Sequence, residues 1–358
     1  MSDWAQPPHP KTKLGRYRQF APLAGVHLSP IAFGGMSIGD KGQQHGVHTM
    51  GKEQSFELLD AYYGAGGNFI DTSNNYQDET SEAFIGEWME KRDNRQQMFV
   101  ATKYTTNFKM GKGPEFGQKV MYTGNNVKAM NTSVDESLKK LRTHYIDLLY
   151  VHWWDYATGI EEVMNGLHNL VTQGKVLYLG ISDSPAWIVS AANTYARLTG
   201  KTPFVVYQGA WSVLSRDFER EIIPMARQQG RMLLTDSWER NEDERKMCKA
   251  LEEVAKEVGT KSITAVAIAY VMQKVPYVFP IIGGHKVEHL YSNLEALDIA
   301  LTAEHIRFIE SVLPFDPGFP YGPFFGSAID SDYNILVKTA GHFDKWPLQQ
   351  AIRPAPIN

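Results

Sequence analysis

The chain has 358 residues, 43% hydrophobic and 21% charged, a balance that fits a folded globular protein and excludes disorder as the default. A net charge of -4 argues against a nucleic-acid surface, and a single cysteine, Cys248, excludes an intrachain disulfide. The opening "MSDWAQPPHPKTKLGRYRQF" has no apolar signal core, and no apolar run approaches the roughly 20 residues of a membrane span. The expectation is a soluble, cytoplasmic protein without a membrane partner.

In chain order, residues 16–30 predict a short hairpin, and "IAFGGM" (31–36) a first apolar strand. "KEQSFELLDAYYGAG" (52–66) repeats apolar residues at spacings of three and four and then reaches glycines that can end a helix. "NFID" (68–71) is a second strand, ending in Asp71. A polar loop with Tyr76 follows, then a helix over 80–92, with Thr80 or Ser81 as its N-cap candidate. "MFVATK" (98–103) is a third strand and "DLLYVH" (147–152) a fourth, with a helix over 126–143 between them. "VLYLGIS" (176–182), "FVVYQ" (204–208), "RMLLT" (231–235) and "YVFPIIG" (277–283) complete eight strands. Helical patterns over 160–174, 184–200, 216–230, 242–259 and 262–274 separate them, and two more over 287–297 and 302–313 follow.

Most of these strands are continuous apolar runs, the pattern of a parallel sheet buried on both faces. Eight of them, each followed by helix, predict one α/β domain over 1–358, a (β/α)8 TIM barrel with a core at about 30–300. The hairpin would plug its bottom, and residues 314–358 would form an aromatic C-terminal tail. Such barrels carry their active sites at the C-terminal ends of the strands. There this chain places Asp71, Lys103, His152, Ser182, Asp183 and Gln208. Taken singly, each has an ordinary reading: Asp71 as a turn starter, Tyr76 as a packing aromatic, Lys103 as a surface lysine, His152 as a satisfied core histidine.

The segments "GGNFIDTSNNY", "VATKY", "DLLYVHWWD", "VLYLGISD", "VVYQ" and "IIGGHKVEHLYSNLEAL" together resemble the aldo-keto reductase superfamily over roughly residues 14–320. The similarity is greatest to its fungal branch of aryl-alcohol dehydrogenases and norsolorinic acid reductases. The resemblance implies a catalytic tetrad of Tyr76, Asp71, Lys103 and His152. Tyr76 would be the general acid. Lys103 would favour its ionised form, since a free tyrosine pKa of about 10 is high for proton transfer near neutrality. Asp71 would orient Lys103, and His152 would hydrogen-bond the substrate oxygen.

The resemblance further implies NADP(H) as cofactor, held on the barrel rim; neither a G-x-G-x-x-G fingerprint nor a P-loop is present, so a Rossmann domain and a P-loop are unsupported. Asp71, Ser182, Asp183 and Gln208 would line its nicotinamide end. Gly283, Gly284, His285, Lys286 and Asn293 would hold the adenosine 2′-phosphate end, with His285 where relatives usually carry arginine. No metal site is expected; the "HGVH" pair, His45 and His48, reads as loop. The usual glycine-rich segment after the seventh strand is missing from "LLTDSWERNEDERK", where Trp238 is the aromatic left to stack on the nicotinamide.

The expected substrate is an aromatic aldehyde, ketone or alcohol, walled by Trp153, Trp154 and the tail aromatics Phe315, Phe319, Tyr321, Phe324 and Phe325. A step like that of norsolorinic acid reductase in fungal polyketide metabolism is one form of this activity. The competing expectation is a weakly active or non-catalytic nicotinamide-binding regulatory protein.

Overall fold

The computed structural model describes residues 4, 8–42, 48–230, 232–235, 242–319, 321, 339–344 and 346–354. An antiparallel hairpin comes first, β1 (Arg18–Ala21) and β2 (Ala24–Leu28). Eight parallel strands follow: β3 (Ala32–Gly34), β4 (Phe69–Asp71), β5 (Phe99–Tyr104), β6 (Ile146–Val151), β7 (Val176–Ser182), β8 (Val206–Gly209), β9 (Met232–Thr235) and β10 (Val278–Ile282). They pair in sequence order, and β10 closes on β3, so the predicted barrel is closed. The helices are α1 (Lys52–Gly64), α2 (Thr80–Arg92), α3 (Val127–Lys140), α4 (Ile160–Thr172), α5 (Ala186–Leu198), α6 (Ile222–Gln229), α7 (Glu242–Val258), α8 (Ile263–Lys274), α9 (Val287–Leu294) and α10 (Ala303–Val312).

Alternation along each strand decides what faces the barrel axis. Phe69, Phe99, Leu148, Tyr150, Val206 and Phe279 share one apolar cluster inside the barrel. Ile70, Val100, Leu149 and Val151, one residue out of phase, join the larger cluster beneath the helices. Residues two or four beyond the inner phenylalanines therefore also point inward. These are Asp71 after Phe69 and Lys103 after Phe99; His152 is in phase with Leu148 and Tyr150. Each such strand is apolar at the bottom of the barrel and polar at the top, on the same face.

The hairpin closes the bottom as expected. The Phe20 ring lies 5.7 Å from Phe69, 5.3 Å from Phe99 and 6.0 Å from Phe279, centroid to centroid. Aromatic pairs favour such edge-on and tilted contacts at these separations. Residues 349–353 also lie there: Gln349 donates to the Tyr277 hydroxyl and Arg353 to the Leu301 carbonyl.

Two expectations need correction. Neither Thr80 nor Ser81 caps α2. Its N-cap position is Glu79, which makes no side-chain cap bond, and Gln77, Asp78 and Glu79 all have left-handed backbones at φ 54, 47 and 77. This run turns the Tyr76 loop directly into the helix, so Thr80 is already helical. The Thr80 hydroxyl donates back to the Gln77 carbonyl and Ser81 to the Gly35 carbonyl. The helix expected from 216 begins at Ile222; the first part is a short 3-10 turn, Asp217–Glu219, held by Arg216 on Glu219.

A charged network fastens the Tyr76 loop to α2 and α3. Lys140 Nζ lies 2.8 Å from Glu82 Oε2 and 3.3 Å from Glu79 Oε2, and donates to the Asn74 carbonyl. Lys109 donates to both Glu79 oxygens, and Thr102, on the outward face of β5, donates to Glu82 Oε1. The Glu82 side chain is fully buried, so removing its cation leaves an uncompensated charge. Lys140→Met is expected to destabilise the protein by about 3–5 kcal/mol; the urea midpoint reads this, and an unchanged midpoint refutes it.

Candidate active site

Asp71 ends β4, and Lys103 lies one residue before the end of β5. The Lys103 side chain is fully buried and Asp71 nearly so, which rules out the surface reading of the lysine. The ammonium has three protons and three hydrogen-bond acceptors: Asp71 Oδ1 at 2.5 Å, the Thr72 carbonyl at 2.8 Å and the Tyr76 hydroxyl at 3.4 Å. On the far side of the carboxylate, Gln208 Nε2 donates to Asp71 Oδ2 at 3.0 Å, from β8 across the barrel. Burial opposes the Lys103 charge, but the attractions of Asp71 and Tyr76 outweigh it and hold its pKa above the ordinary value. With donors on both of its oxygens, Asp71 sits as the ionised partner.

Tyr76 is brought over this pair by the loop after β4. Its ring centroid lies 5.0 Å from Lys103 Nζ, and its backbone N–H donates to the Ser73 carbonyl. Gln77, the next residue, ties the loop to the β3–α1 connection. Its Nε2 donates to the Met36 and His48 carbonyls, and its Oε1 accepts from the Gly42 N–H.

His152, one residue past β6, lies edge-on to Tyr76 with ring centroids 6.0 Å apart. Burial, helped by the nearby Lys103 charge, holds its pKa well below the ordinary value, so the imidazole is neutral. Its Nδ1 lies 3.3 Å from both Ser73 Oγ and Thr106 Oγ1. A phenol fixed by an ammonium and set beside a neutral imidazole can exchange a proton with an oxygen bound between them.

The structure thus brings Asp71, Tyr76, Lys103 and His152 together. It also brings Gln208 against Asp71, and Ser182 and Asp183 beside Gln208. Ser182 pairs with Gln208 in register, its hydroxyl donates to Asp183 Oδ2 at 3.2 Å, and the Asp183 N–H donates to the Gln208 carbonyl. Asp183 has a left-handed backbone, φ 40, so the chain turns sharply at that rim.

A second group lies where β10 meets α9. Gly283 is exposed, and a Cβ there would meet nothing within 4 Å. The Gly284 and His285 carbonyls accept from Ser37 and Gln54, Asn293 reaches the Gly283 carbonyl at 3.5 Å, and Lys286 is the exposed N-cap of α9. The His285 ring stacks on His48, with centroids 3.5 Å apart and planes at 18°, and its buried Nδ1 has no hydrogen-bond partner among the described residues. Burial, then His48 and His289, lower the His285 pKa.

The wall residues divide. Trp153 is 47% exposed and stacks on His152, whereas Trp154 is buried in the layer under the helices. Phe315 packs under Arg216 and Arg220, each guanidinium 5.3 Å from its ring, and Phe319 is 87% exposed. Phe324, Phe325, Trp238, His45 and most of the segment after β9 lie outside the described residues.

Sequence reasoning missed His48, Thr106 and the Glu79–Glu82–Lys140 network. Their partners lie 20 to 237 residues away, so no local spacing reveals them, although an acid at Glu82 between buried Phe84 and Ser81 is a detectable anomaly.

Among the described residues, no helix is long and apolar enough to cross a membrane. The family model described as "Aldo/keto reductase family" matches residues 30–314. "Aryl-alcohol dehydrogenase [NADP(+)]" of Phanerodontia chrysosporium is 59% identical, covering 99% of this chain and 100% of its own. That alignment runs over 386 positions, more than the 358 residues here, so the relative has residues that this chain lacks. "Aldo-keto reductase ausK" of Emericella nidulans is 49% identical over 88% of this chain and 85% of its own. "Norsolorinic acid reductase B" of Dothistroma septosporum is 44% identical over 95% and 94%. A closed (β/α)8 barrel, polar strand ends in its mouth and a family match across the barrel lead to one conclusion: the chain belongs to the aldo/keto reductase family.

Proposed function

We propose that this protein is an NADP(H)-dependent oxidoreductase that interconverts an aromatic aldehyde or ketone and its alcohol. The observation that carries this reading is the Lys103 ammonium, buried and bonded at once to Asp71 and the Tyr76 hydroxyl. The similarity to the aryl-alcohol dehydrogenase of Phanerodontia chrysosporium supports the substrate class and the cofactor. A reduction within fungal polyketide metabolism is the finer form of the proposal, supported by the norsolorinic acid reductase relative.

The residues present fit the cofactor. The exposed Gly283 leaves backbone open to close approach, and the exposed Lys286 places a cation at the N-terminus of α9, where an anion also gains from free amides. In this reading His285, Lys286, Gly283, Gly284 and Asn293 hold the 2′-phosphate end. Ser182, Asp183, Gln208 and Asp71 line the nicotinamide end. When bound, NADPH supplies the hydride.

The remaining work belongs to side chains. Tyr76 gives its hydroxyl proton to the substrate oxygen as charge develops there. Lys103 steadies the oxygen left behind, and Asp71 keeps Lys103 charged and aimed. His152, neutral, orients the substrate oxygen toward Tyr76. Trp153 offers an aromatic face at the mouth for a flat ring. In the alcohol-oxidising direction each proton moves the other way.

A second reading is favoured by one observation, the longer alignment with the 59% identical relative. If the missing residues are those of the glycine-rich segment after β9, the protein binds nicotinamide cofactor loosely and turns over weakly, or serves as a binding protein only.

Tyr76→Phe is expected to lower kcat for aryl aldehyde reduction about 10²- to 10⁴-fold and to leave NADPH affinity unchanged. Steady-state rates and fluorescence titration measure the two, and an unchanged kcat removes the acid role from Tyr76. Because its pKa is lowered, His285 is uncharged near neutrality and gains its proton only as the pH falls. The preference for NADPH over NADH is therefore expected to stay flat across neutrality and to rise only as the pH falls into the acid range where His285 gains its proton. His285→Arg is expected to raise that preference and flatten its pH dependence; a preference that stays flat into the acid range in the natural protein contradicts this assignment.

A further inference from the structure

We propose that Thr106 is a positioning residue that sets the tautomer of His152, leaving the imidazole proton on Nε2, the atom free to meet the substrate oxygen. The inference rests on the role given to His152 above and deepens it.

The argument is a count of protons. A neutral imidazole has one N–H, on Nδ1 or on Nε2, and the partners of Nδ1 decide which. Two hydroxyls lie 3.3 Å from Nδ1, those of Ser73 and Thr106. The Trp153 indole N–H can only donate, and it donates to Thr106 Oγ1 at 3.2 Å. At that contact the Thr106 oxygen is the acceptor, so its own proton goes to its other neighbour, Nδ1. The Ser73 hydroxyl has a nearer acceptor, Asn75 Oδ1 at 2.8 Å. With Thr106 donating to Nδ1 and Ser73 to Asn75, each hydroxyl and indole proton has an acceptor, and the ring proton, on Nε2, is left for the substrate oxygen. With the ring proton on Nδ1, both hydroxyl oxygens become its acceptors, and the Thr106 proton has none among the described contacts.

The backbone holds this chain of bonds in place. Thr105, just past β5, has a left-handed backbone at φ 108, a costly conformation for a β-branched residue. Its carbonyl accepts from Gly124 N–H at 2.8 Å and from the Thr123 hydroxyl at 3.1 Å. Asn125 Nδ2 donates to both the Thr105 hydroxyl at 2.8 Å and the Trp153 carbonyl at 2.9 Å, clamping the ends of β5 and β6 together. Asn125 is in turn locked to Asp155 by reciprocal bonds of 2.7 Å. The Trp153 ring lies nearly parallel to the His152 ring, at 19°, so the indole fixes the plane of the imidazole as well as the polarity of Thr106. A substrate carbonyl needs a donor, and an Nε2 proton supplies one.

The test is long-range nitrogen–proton NMR on full-length protein labelled in histidine, with His152 assigned by its loss in His152→Gln. The expected spectrum shows a protonated Nε2 and a bare Nδ1. In Thr106→Val the tautomers become mixed, and kcat for aryl aldehyde reduction falls about 10- to 100-fold with unchanged NADPH affinity; Thr106→Ser restores both. A proton on Nδ1 in the natural protein overturns the proposal, whether or not Thr106→Val folds. So does an identical tautomer in folded Thr106→Val. Failure of the His152 role itself would show separately, as an undiminished kcat in His152→Ala.

Discussion

Everything at the mouth of this barrel is arranged around one ammonium group removed from water. A fully buried lysine is costly unless its charge is paired and its protons are all accepted. Lys103 meets both conditions, with Asp71, the Thr72 carbonyl and the Tyr76 hydroxyl as its three acceptors. The need to satisfy it fixes Asp71 at the end of β4, draws the following loop over the strand ends and places Tyr76 at a set distance. Gln208, reaching across from the opposite side, completes the carboxylate. Burial, helped by the same charge, keeps His152 neutral beside the Tyr76 phenol. In the proposed reaction the phenol gives a proton and the imidazole orients its receiver.

The surrounding shell is charged where most barrel exteriors are apolar. Glu82, Glu79, Lys140 and Lys109 hold the Tyr76 loop against α2 and α3, and Gln77 holds it against the β3–α1 connection. The loop also contains three successive left-handed residues, which cost backbone energy. Strain of this kind persists only where neighbours over-determine the conformation, and here two sets of polar contacts do so. On the other side, Asn125 performs the same service for Thr105 and Trp153.

Much of this was legible in the sequence, for physical reasons. The eight strands show as apolar runs because both faces are buried, and α2 spans Thr80–Arg92 as its periodicity predicts. Asp71, Lys103 and His152 share a phase with the inner residues of their strands, so the sequence alone aligns them on one face. Less was legible where structure depends on distant partners. The start of α6 is delayed because Glu219 turns to Arg216, and a backbone conformation rather than a side chain begins α2. The His48–His285 stack joins loops 237 positions apart. Of the tail, Phe315 packs on arginines and residues 349–353 lie at the hairpin end, while Phe324 and Phe325 lie outside the described residues.

The central claim is that Lys103 and Tyr76 act as one proton-transferring unit, and a double-mutant cycle tests it most directly. Single-turnover reduction of an aryl aldehyde by bound NADPH would be timed in Tyr76→Phe, Lys103→Met and the double variant, each with NADPH affinity measured alongside. Residues that act as a unit give non-additive losses. The account predicts that the double variant is about as slow as the slower single variant. Losses that multiply, one factor for each residue, would contradict it.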